Sequence, residues 1–247
     1  MRASVLICAV LCASCAAKKP LAKAPPAADP DPPAATDEKV AASDPAKEKQ
    51  APAALPTECK QTGEVCTPDS KWVDRLCSGN YPDVALILFQ KGSPWTRGYL
   101  RGKVKAWNAS GGASTNGELE FDEEVLMLRF RGASSGCIQG SGASGNYDAL
   151  RWDGACVSLA QEEVTLKRAP SPKSAGVEWK LLAPATRDAL QADATVDAAY
   201  KKRKNECKGA TMGEVSRACE VAHKALSRLI VGWVRDGGKV PVPERLP

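Results

Sequence analysis

The stretch from residue 147 to residue 159 reads Tyr-Asp-Ala-Leu-Arg-Trp-Asp-Gly-Ala-Cys-Val-Ser-Leu and carries the clearest local structural signal in the chain. Asp153-Gly154 is a dipeptide favoured in two-residue β-hairpin turns. Such a turn places two cross-strand pairs on one face, Trp152 with Ala155 and Leu150 with Val157. Arg151 and Cys156 then face the other way, because side chains alternate along a strand. The stretch therefore predicts an antiparallel hairpin.

Several other segments around this hairpin have the composition of strands. They are the continuous apolar run 84–89, the alternating segment 99–107, and the segments 118–121, 125–131, 164–166 and 177–182. Alternation within 125–131 places Leu126, Leu128 and Phe130 on one face. Short strands at this spacing predict a small antiparallel sheet or a partly open β-barrel.

The last third of the chain has helical periodicity. Pro184 suits the first position of a helix that ends near Gly209. Residues 211–214, Thr-Met-Gly-Glu, form a capping box for a second helix. The apolar stripe of that helix contains Val215, Ala218, Cys219, Ala222, Leu226, Leu229, Ile230 and Trp233. A short connection makes two such helices antiparallel, so the predicted fold class is α+β, with the sheet followed by a C-terminal helical hairpin.

A shorter helix is predicted before the strands. Asp69 or Ser70 suits its N-cap, and the helix then carries Trp72, Val73, Leu76 and Cys77.

Ten cysteines in 247 residues fit an oxidising compartment such as the periplasm. Beyond Cys15, the candidates for disulfides are Cys59, Cys66, Cys77, Cys137, Cys156, Cys207 and Cys219. This odd number permits at most three internal bridges, and the sequence does not give their connectivity. The pairing that the sequence favours is Cys207 with Cys219, across the helical hairpin.

The N-terminus has the pattern of an export signal. Arg2 precedes an apolar stretch at residues 3–13, which is too short for a helical membrane span of about 20 residues. Ala13-Ser14-Cys15 resembles the end of the lipobox of bacterial lipoproteins, with Cys12 at the position where leucine is usual. The resemblance implies that the Cys15 thiol is lipidated and anchors the mature chain in a membrane.

The residue after Cys15 bears on the location of the protein. Ala16 in place of aspartate implies, by the same resemblance, the outer membrane of the cell envelope, facing the periplasm. The alternative is an ordinary signal cut after Ala16 or Ala17, which would discard Cys15 and release a soluble secreted protein.

The predicted domain organisation follows from the composition. Residues 1–14 are the signal peptide, and residues 15–57 form a disordered Ala/Pro-rich tether because they contain too few large apolar residues to form a core. At about 3.1 Å per residue, an extended tether reaches on the order of 100 Å. Residues 58–247 form one disulfide-containing domain, mainly β at 58–182 and helical at 183–237.

The distribution of charge and the spacing of cysteine and histidine argue against nucleic-acid binding and against metal binding. The net charge of +5 is spread along the chain, so no nucleic-acid partner is predicted. The chain contains one histidine and, beyond Cys15, no Cys-x-x-Cys pair, so no metal and no cofactor are predicted.

A candidate binding surface lies in the strand region, where cations alternate beside aromatic residues. Its members are Trp95, Tyr99, Arg101, Lys103, Lys105 and Trp107. Alternation places the three cations on one face and Leu100, Val104 and Ala106 on the other. A solvated face of the sheet is favoured over a binding stripe for these cations, and the large rings are favoured as core residues over a platform for stacking sugars.

No catalytic residue is predicted. His223, the one histidine, lies beside the apolar stripe of the last helix. The adjacent acids Asp122, Glu123 and Glu124, or Glu162 and Glu163, leave open the alternative of an envelope glycan hydrolase with paired carboxylates. The function predicted is non-enzymatic, namely a tethered binding or scaffolding domain. Its partners are the membrane, through Cys15, and an envelope protein or peptidoglycan.

Overall fold

A computed structural model of the chain describes residues 54–109, 115–132, 145–209, 215–244 and 246–247. These residues form the predicted α+β fold, with a curled seven-stranded antiparallel half-barrel, a two-stranded sheet and five helices. The strands are β1 (Lys60–Thr62), β2 (Val65–Thr67), β3 (Arg97–Leu100), β4 (Val104–Asn108), β5 (Thr115–Leu119), β6 (Glu124–Arg131), β7 (Asn146–Leu150), β8 (Cys156–Ala160) and β9 (Val164–Thr165). The helices are α1 (Ser70–Cys77), α2 (Pro82–Leu88), α3 (Pro184–Gln191), α4 (Ala194–Glu206) and α5 (Arg217–Arg235).

The seven-stranded sheet has the order β5-β4-β8-β7-β6-β3-β9. One of its faces carries a compact apolar cluster whose buried members include Leu100, Ala106, Leu119, Met127 and Leu159. The predicted apolar face of Leu100, Val104 and Ala106 is therefore confirmed. The predicted strand 99–107 is divided into β3 and β4 by a bend at residues 101–102.

The other face of the sheet packs against helices and forms a larger core. Leu126, Leu128 and Leu150 of the sheet pack there with buried residues of α1, α2, α4 and α5. The rings of Phe89 and Trp152 stack in this core with their centroids 4.1 Å apart. Because sheet and helices share one apolar core, the C-terminal helices hold their position relative to the half-barrel.

A β-bulge changes one predicted face of β6. The pairing with β7 shifts between Met127 and Arg129, so the residues after the bulge exchange faces. Phe130 therefore does not share the helix-facing side with Leu126 and Leu128, as predicted. It is 43% exposed, and its ring contacts Tyr147 at a centroid distance of 5.1 Å.

The hairpin at residues 147–159 is present as β7 and β8, but the predicted register is wrong. Leu150 pairs with Cys156, and Ala149 pairs with Val157. A shift of one residue moves side chains to the opposite face. Cys156 consequently lies with Leu150 in the helix-facing core, and Val157 lies in the other cluster.

The reason for the shift is a turn one residue longer than the predicted one. The N–H of Arg151 donates to the carbonyl of Ala155, which leaves three residues in the loop. Gly154 takes the left-handed conformation that such a loop needs, with φ of 87°. It also lies against the start of α2, since a Cβ there would be 2.4 Å from Asn80 Oδ1 and 2.6 Å from the nitrogen of Pro82.

The apolar run 84–89 is a helix, α2, and the predicted buried strand is wrong. Pro82 occupies the first turn, where its fixed φ favours a helix start. Asp83 is buried in that turn, and its carboxylate accepts hydrogen bonds from the N–H of Ala183 at 3.0 and 3.1 Å. An apolar run of this length does not distinguish a buried strand from a helix enclosed on all sides.

The segment 177–182 is also not a strand. It contains a 3-10 turn at Trp179–Leu181, and the N–H of Val177 donates to the buried hydroxyl of Ser227 at 2.8 Å. This contact attaches the segment to α5 rather than to the sheet.

The helix predicted from Pro184 to Gly209 is divided in two. Asp193 ends α3 and caps α4, since its carboxylate accepts from the N–H groups of Thr195 and Val196. Helix α1 begins as predicted, with Asp69 as its N-cap. Helix α5 begins after Ser216, whose hydroxyl accepts from the N–H of Cys219. Val215, predicted in the apolar stripe of this helix, instead precedes it and is 59% exposed.

Three disulfides join the described part of the chain. They are Cys59–Cys66, Cys77–Cys156 and Cys207–Cys219, and the last is the pairing that the sequence favours. Cys15, the tether up to residue 53, Cys137 and the capping box at 211–214 lie outside the described residues.

Candidate functional site

Helix α5 packs one side into the core and presents another side to a cleft. Its core side contains Cys219, Ala222, Leu226, Ile230 and Val234, all buried. Lys224, Ser227, Arg228, Val231 and Arg235 recur at spacings of three and four, so they lie along one side of the helix and line the cleft. The polar residues of this side are therefore presented together by the helix geometry.

The opposite wall is the turn between β5 and β6 with a segment docked on it. Asp122 has φ of 61°, in the left-handed region that aspartate tolerates better than most residues. Its N–H donates to the carbonyl of Leu100, and its own carbonyl accepts from the N–H of Lys173 at 2.9 Å. The N–H of Glu124 donates to the carbonyl of Lys173, also at 2.9 Å. These bonds fix Lys173 at the edge of the cleft.

The cleft between these walls, called the α5 cleft below, has a volume of about 510 Å³. This volume is within the range of about 300–1,000 Å³ typical of small-ligand sites. Its charged lining residues are the cations Lys173, Lys224, Arg228 and Arg235 and the carboxylates Glu120 and Glu123. Glu220 and Glu124, which are not lining residues, pair with Lys224 and Arg235, so the excess positive charge of the cleft is at Arg228 and favours an anionic ligand.

The cations differ in how they are paired. The Nζ of Lys173 lies 2.9 Å from Glu120 Oε2, and the Nζ of Lys224 lies 2.6 Å from Glu220 Oε1. Both pairs are solvent-exposed, and such pairs add little to stability. Arg228 is exposed and makes no ion pair with any described residue. Its guanidinium is therefore available to a ligand.

Glu124 lies behind the cleft, where its buried carboxylate pairs with the lining residue Arg235. Its carboxylate is 2% exposed and accepts from Arg97 Nη1 at 3.0 Å, from Trp152 Nε1 at 3.1 Å, and from Arg235. Burial alone raises the pKa of Glu124, but the hydrogen bonds and charges of Arg235 and Arg97 outweigh it and hold the pKa below its usual value. Arg235 is therefore engaged with Glu124 and is not available to a ligand.

Tyr99 is part of the same cluster. Its hydroxyl lies 3.4 Å from Glu124 Oε1, and burial together with the nearby charge of Glu124 raises its pKa.

Three of the five carboxylates considered for glycan hydrolysis, Glu123, Glu124 and Glu163, have structural partners. Glu123 is buried and accepts from Arg151 Nε at 3.0 Å, and Glu163 accepts from the N–H of Ala160 at 2.8 Å. A glycosidase general acid needs a raised pKa, whereas the pKa of Glu124 is lowered. The hydrolase alternative remains a prediction, and none of these contacts favours it.

The predicted surface of six residues is not one surface. Trp95 and Tyr99 are buried in the core, at 5% and 4% exposure. Lys103 and Lys105 are exposed, and Lys103 forms an ion pair with Glu118 on β5. Trp107 is 49% exposed, and alternation along β4 places it on the face opposite the buried Ala106.

Arg101, the remaining member, lines a different cavity of about 520 Å³ with Tyr147 and Lys167. Its Nε donates to the carbonyl of Val164 at 3.1 Å, so it is already bound to the sheet edge. The charged residues that line this cavity are two cations, Arg101 and Lys167, and one carboxylate, Glu64, so its lining has a smaller excess of cations than the lining of the α5 cleft.

His223 lines the α5 cleft, and its Nε2 lies 3.6 Å from Glu178 Oε2. Within the described ranges, no three His, Cys, Asp or Glu residues form a cluster that would hold a metal ion.

The sequence reasoning missed the site-forming residues Lys173, Lys224 and Arg228. Lys224 and Arg228 are four residues apart, and this spacing alone predicts that they lie on the same side of a helix. Lys173 has no such signal, because its position depends on docking against a turn about 50 residues earlier.

No protein-family model, no curated protein and no solved structure matches the chain. In the part of the chain that the structure describes, no helix has the length and apolar character required to span a membrane.

Proposed function

We propose that the chain is a membrane-anchored lipoprotein of the bacterial cell envelope whose folded domain binds an anionic envelope component in the α5 cleft. The observation that carries the proposal is the charge arrangement of the cleft. Both carboxylates on its lining, Glu120 and Glu123, already have cationic partners within the chain, whereas Arg228 has none among the described residues. An anionic partner would supply the missing counter-charge.

The construction of the cleft supports a binding role. Its walls are held by α5, which packs into the main core, and by backbone hydrogen bonds between Lys173 and the turn at Asp122. A site on rigid elements loses little conformational freedom when a ligand binds. The domain is therefore suited to capturing a partner without a large rearrangement.

The anchor rests on the sequence alone. The leader and Ala13-Ser14-Cys15 support lipidation of Cys15, and residues 16–57 support a tether with a reach on the order of 100 Å. The proposed arrangement allows the cleft to reach a partner away from the membrane that holds the lipid.

The anchor is tested by the intact mass of the protein purified from bacterial membranes. We expect a mature chain that starts at Cys15 and carries acyl groups, and a Cys15→Ser variant that is no longer recovered with membranes. A mature chain that begins at Ala17 or Lys18, without acyl mass, would contradict the anchor and support the soluble alternative.

The binding role is tested by co-sedimentation of the full-length Cys15→Ser chain with isolated envelope fragments. We expect the double variant Lys224→Glu/Arg228→Glu to bind about tenfold or more weakly, since charge-assisted hydrogen bonds contribute about 1.5–3 kcal/mol each. The control Lys202→Glu/Lys204→Glu changes the net charge equally on the exposed surface of α4. Equal binding by both doubles would contradict a role for the cleft.

A further inference from the structure

We infer that the ligand of the α5 cleft is a phosphomonoester carried on a sugar, and that Glu120 occupies the position of the phosphate in the unliganded protein. This inference rests on the proposed binding function and names the ligand class of the same site. It follows from three features, which are the distribution of cations, the pairing of Glu120 and the size of the cleft.

The cations come from two walls. Lys224 and Arg228 are four residues apart on α5, and Lys173 lies on the docked segment across from them. A phosphate dianion carries two charges and three free oxygens, so it offers acceptors to cations in more than one direction. The guanidinium of Arg228 suits two-pronged contact with phosphate oxygens, and the lysines act as point charges.

Glu120 marks where the anionic group binds. Its carboxylate accepts from Lys173, and this contact is the main reason why the pKa of Glu120 lies below its usual value. Glu120 and Lys224 line the same cleft, so this carboxylate faces the space that the cations of α5 also face. Because the pair is exposed, a ligand displaces Glu120 from Lys173 at little cost.

The cleft is larger than a free phosphate requires. A water molecule occupies about 30 Å³ of liquid volume, so 510 Å³ has room for a body the size of a sugar beside the anionic group. The lining residues Pro172, Gly176 and Val231 offer apolar contacts for that body. A hydroxyl-bearing ring attached to the phosphate fits this combination of apolar wall and polar rim.

The test is a calorimetric titration of the full-length Cys15→Ser chain at low salt. The probe is N-acetylglucosamine 1-phosphate, and the comparison ligands are N-acetylglucosamine, glucuronate and inorganic phosphate. We expect saturable binding of the probe. We expect no binding of the uncharged sugar, and weaker binding of glucuronate and of inorganic phosphate.

Two substitutions in the cleft have opposite expected effects. Arg228→Gln should weaken binding of the probe about tenfold or more, because a charge-assisted contact is lost. Glu120→Gln should strengthen it by about two- to fivefold, because the competing carboxylate is removed. Glu118→Gln is the matched control, since it removes one exposed charge-paired carboxylate outside the cleft.

Several outcomes would overturn the inference. They are no saturable binding of the probe, glucuronate binding as tightly as the probe, an Arg228→Gln chain that binds normally, and equal effects of Glu120→Gln and Glu118→Gln. Loss of envelope binding by Lys224→Glu/Arg228→Glu without any binding of the probe would remove the phosphosugar ligand but leave the proposed function intact. Titration with vesicles that contain a phosphorylated glycolipid, beside the soluble probe, distinguishes a headgroup source from a free sugar phosphate.

Discussion

Glu124 is the residue at which three parts of the molecule meet. Arg97 reaches it from β3, Trp152 from the β7–β8 turn and Arg235 from the end of α5. A buried carboxylate is costly without such partners. The sequence does not distinguish Glu124 from its neighbours Asp122 and Glu123, because the partner Arg235 is 111 residues away.

The substitution Glu124→Gln tests this cluster through the pH dependence of stability. At pH 7 we expect the free energy of unfolding to fall by roughly 2–3 kcal/mol, because Arg97 and Arg235 lose their counter-charge. Since the folded-state pKa is lowered, the contribution of the carboxylate is complete above the unfolded pKa of about 4.3. It is lost as the pH falls through the folded pKa.

Urea unfolding of wild type and variant at pH 7 and pH 3 provides the measurement. The stability difference between the two proteins should be smaller at pH 3. The same difference at both pH values would show that the charge of Glu124 is not what stabilises the fold.

Gly154 is the second residue with a specific role, and Gly92 is its matched control. Both have positive φ, but a Cβ at Gly92 would meet no atom within 4 Å, whereas at Gly154 it would meet Asn80 and the backbone of Pro82. We expect Gly92→Ala to cost about 1–2 kcal/mol from backbone strain alone. Gly154→Ala should cost clearly more. Thermal unfolding of both variants measures this, and equal shifts in Tm would argue against close contact between the turn and α2.

At the scale of elements, the sequence predicts the presence of those elements that neighbouring residues specify. The cap at Asp69, the amphipathic α5 and the hairpin at 147–159 follow from neighbouring residues. Helix α2 does not, because its six apolar residues at 84–89 suit a strand equally well. Six of its seven residues are buried, Pro82 starts the helix, and Asp83 anchors its first turn to Ala183.

The disulfides give an element-scale prediction. Cys77–Cys156 joins α1 to β8 and closes a loop with a sequence separation of 79, whereas Cys207–Cys219 joins α4 to α5 with a separation of 12. Loop-closure entropy makes the first bridge worth about 4.5 kcal/mol and the second about 3 kcal/mol.

Paired Cys→Ala substitutions test this ranking. The variant without Cys77 and Cys156 should have the lower urea midpoint of the two. A larger loss from removing Cys207 and Cys219 would mean that the α4–α5 bridge stabilises the fold by a route other than closing the loop.

At the scale of the whole molecule, the sequence predicts the fold class but not the site. The α+β class follows from strand signals before Pro184 and helical periodicity after it. The α5 cleft combines Lys173, Glu120 and Arg228 from three separate regions of the sequence. The docking of residue 173 on the 120–124 turn and the packing of α5 into the main core bring them together, and no local pattern encodes such contacts.

The central claim is that the α5 cleft is where the protein binds its anionic ligand. An NMR titration of the isotope-labelled full-length Cys15→Ser chain with N-acetylglucosamine 1-phosphate tests it most directly. The account predicts saturable shifts of amide signals at Glu120, Lys173, Ser174, Lys224 and Arg228. Shifts centred instead on the cavity at Arg101, Tyr147 and Lys167, or no saturable shifts, would contradict it.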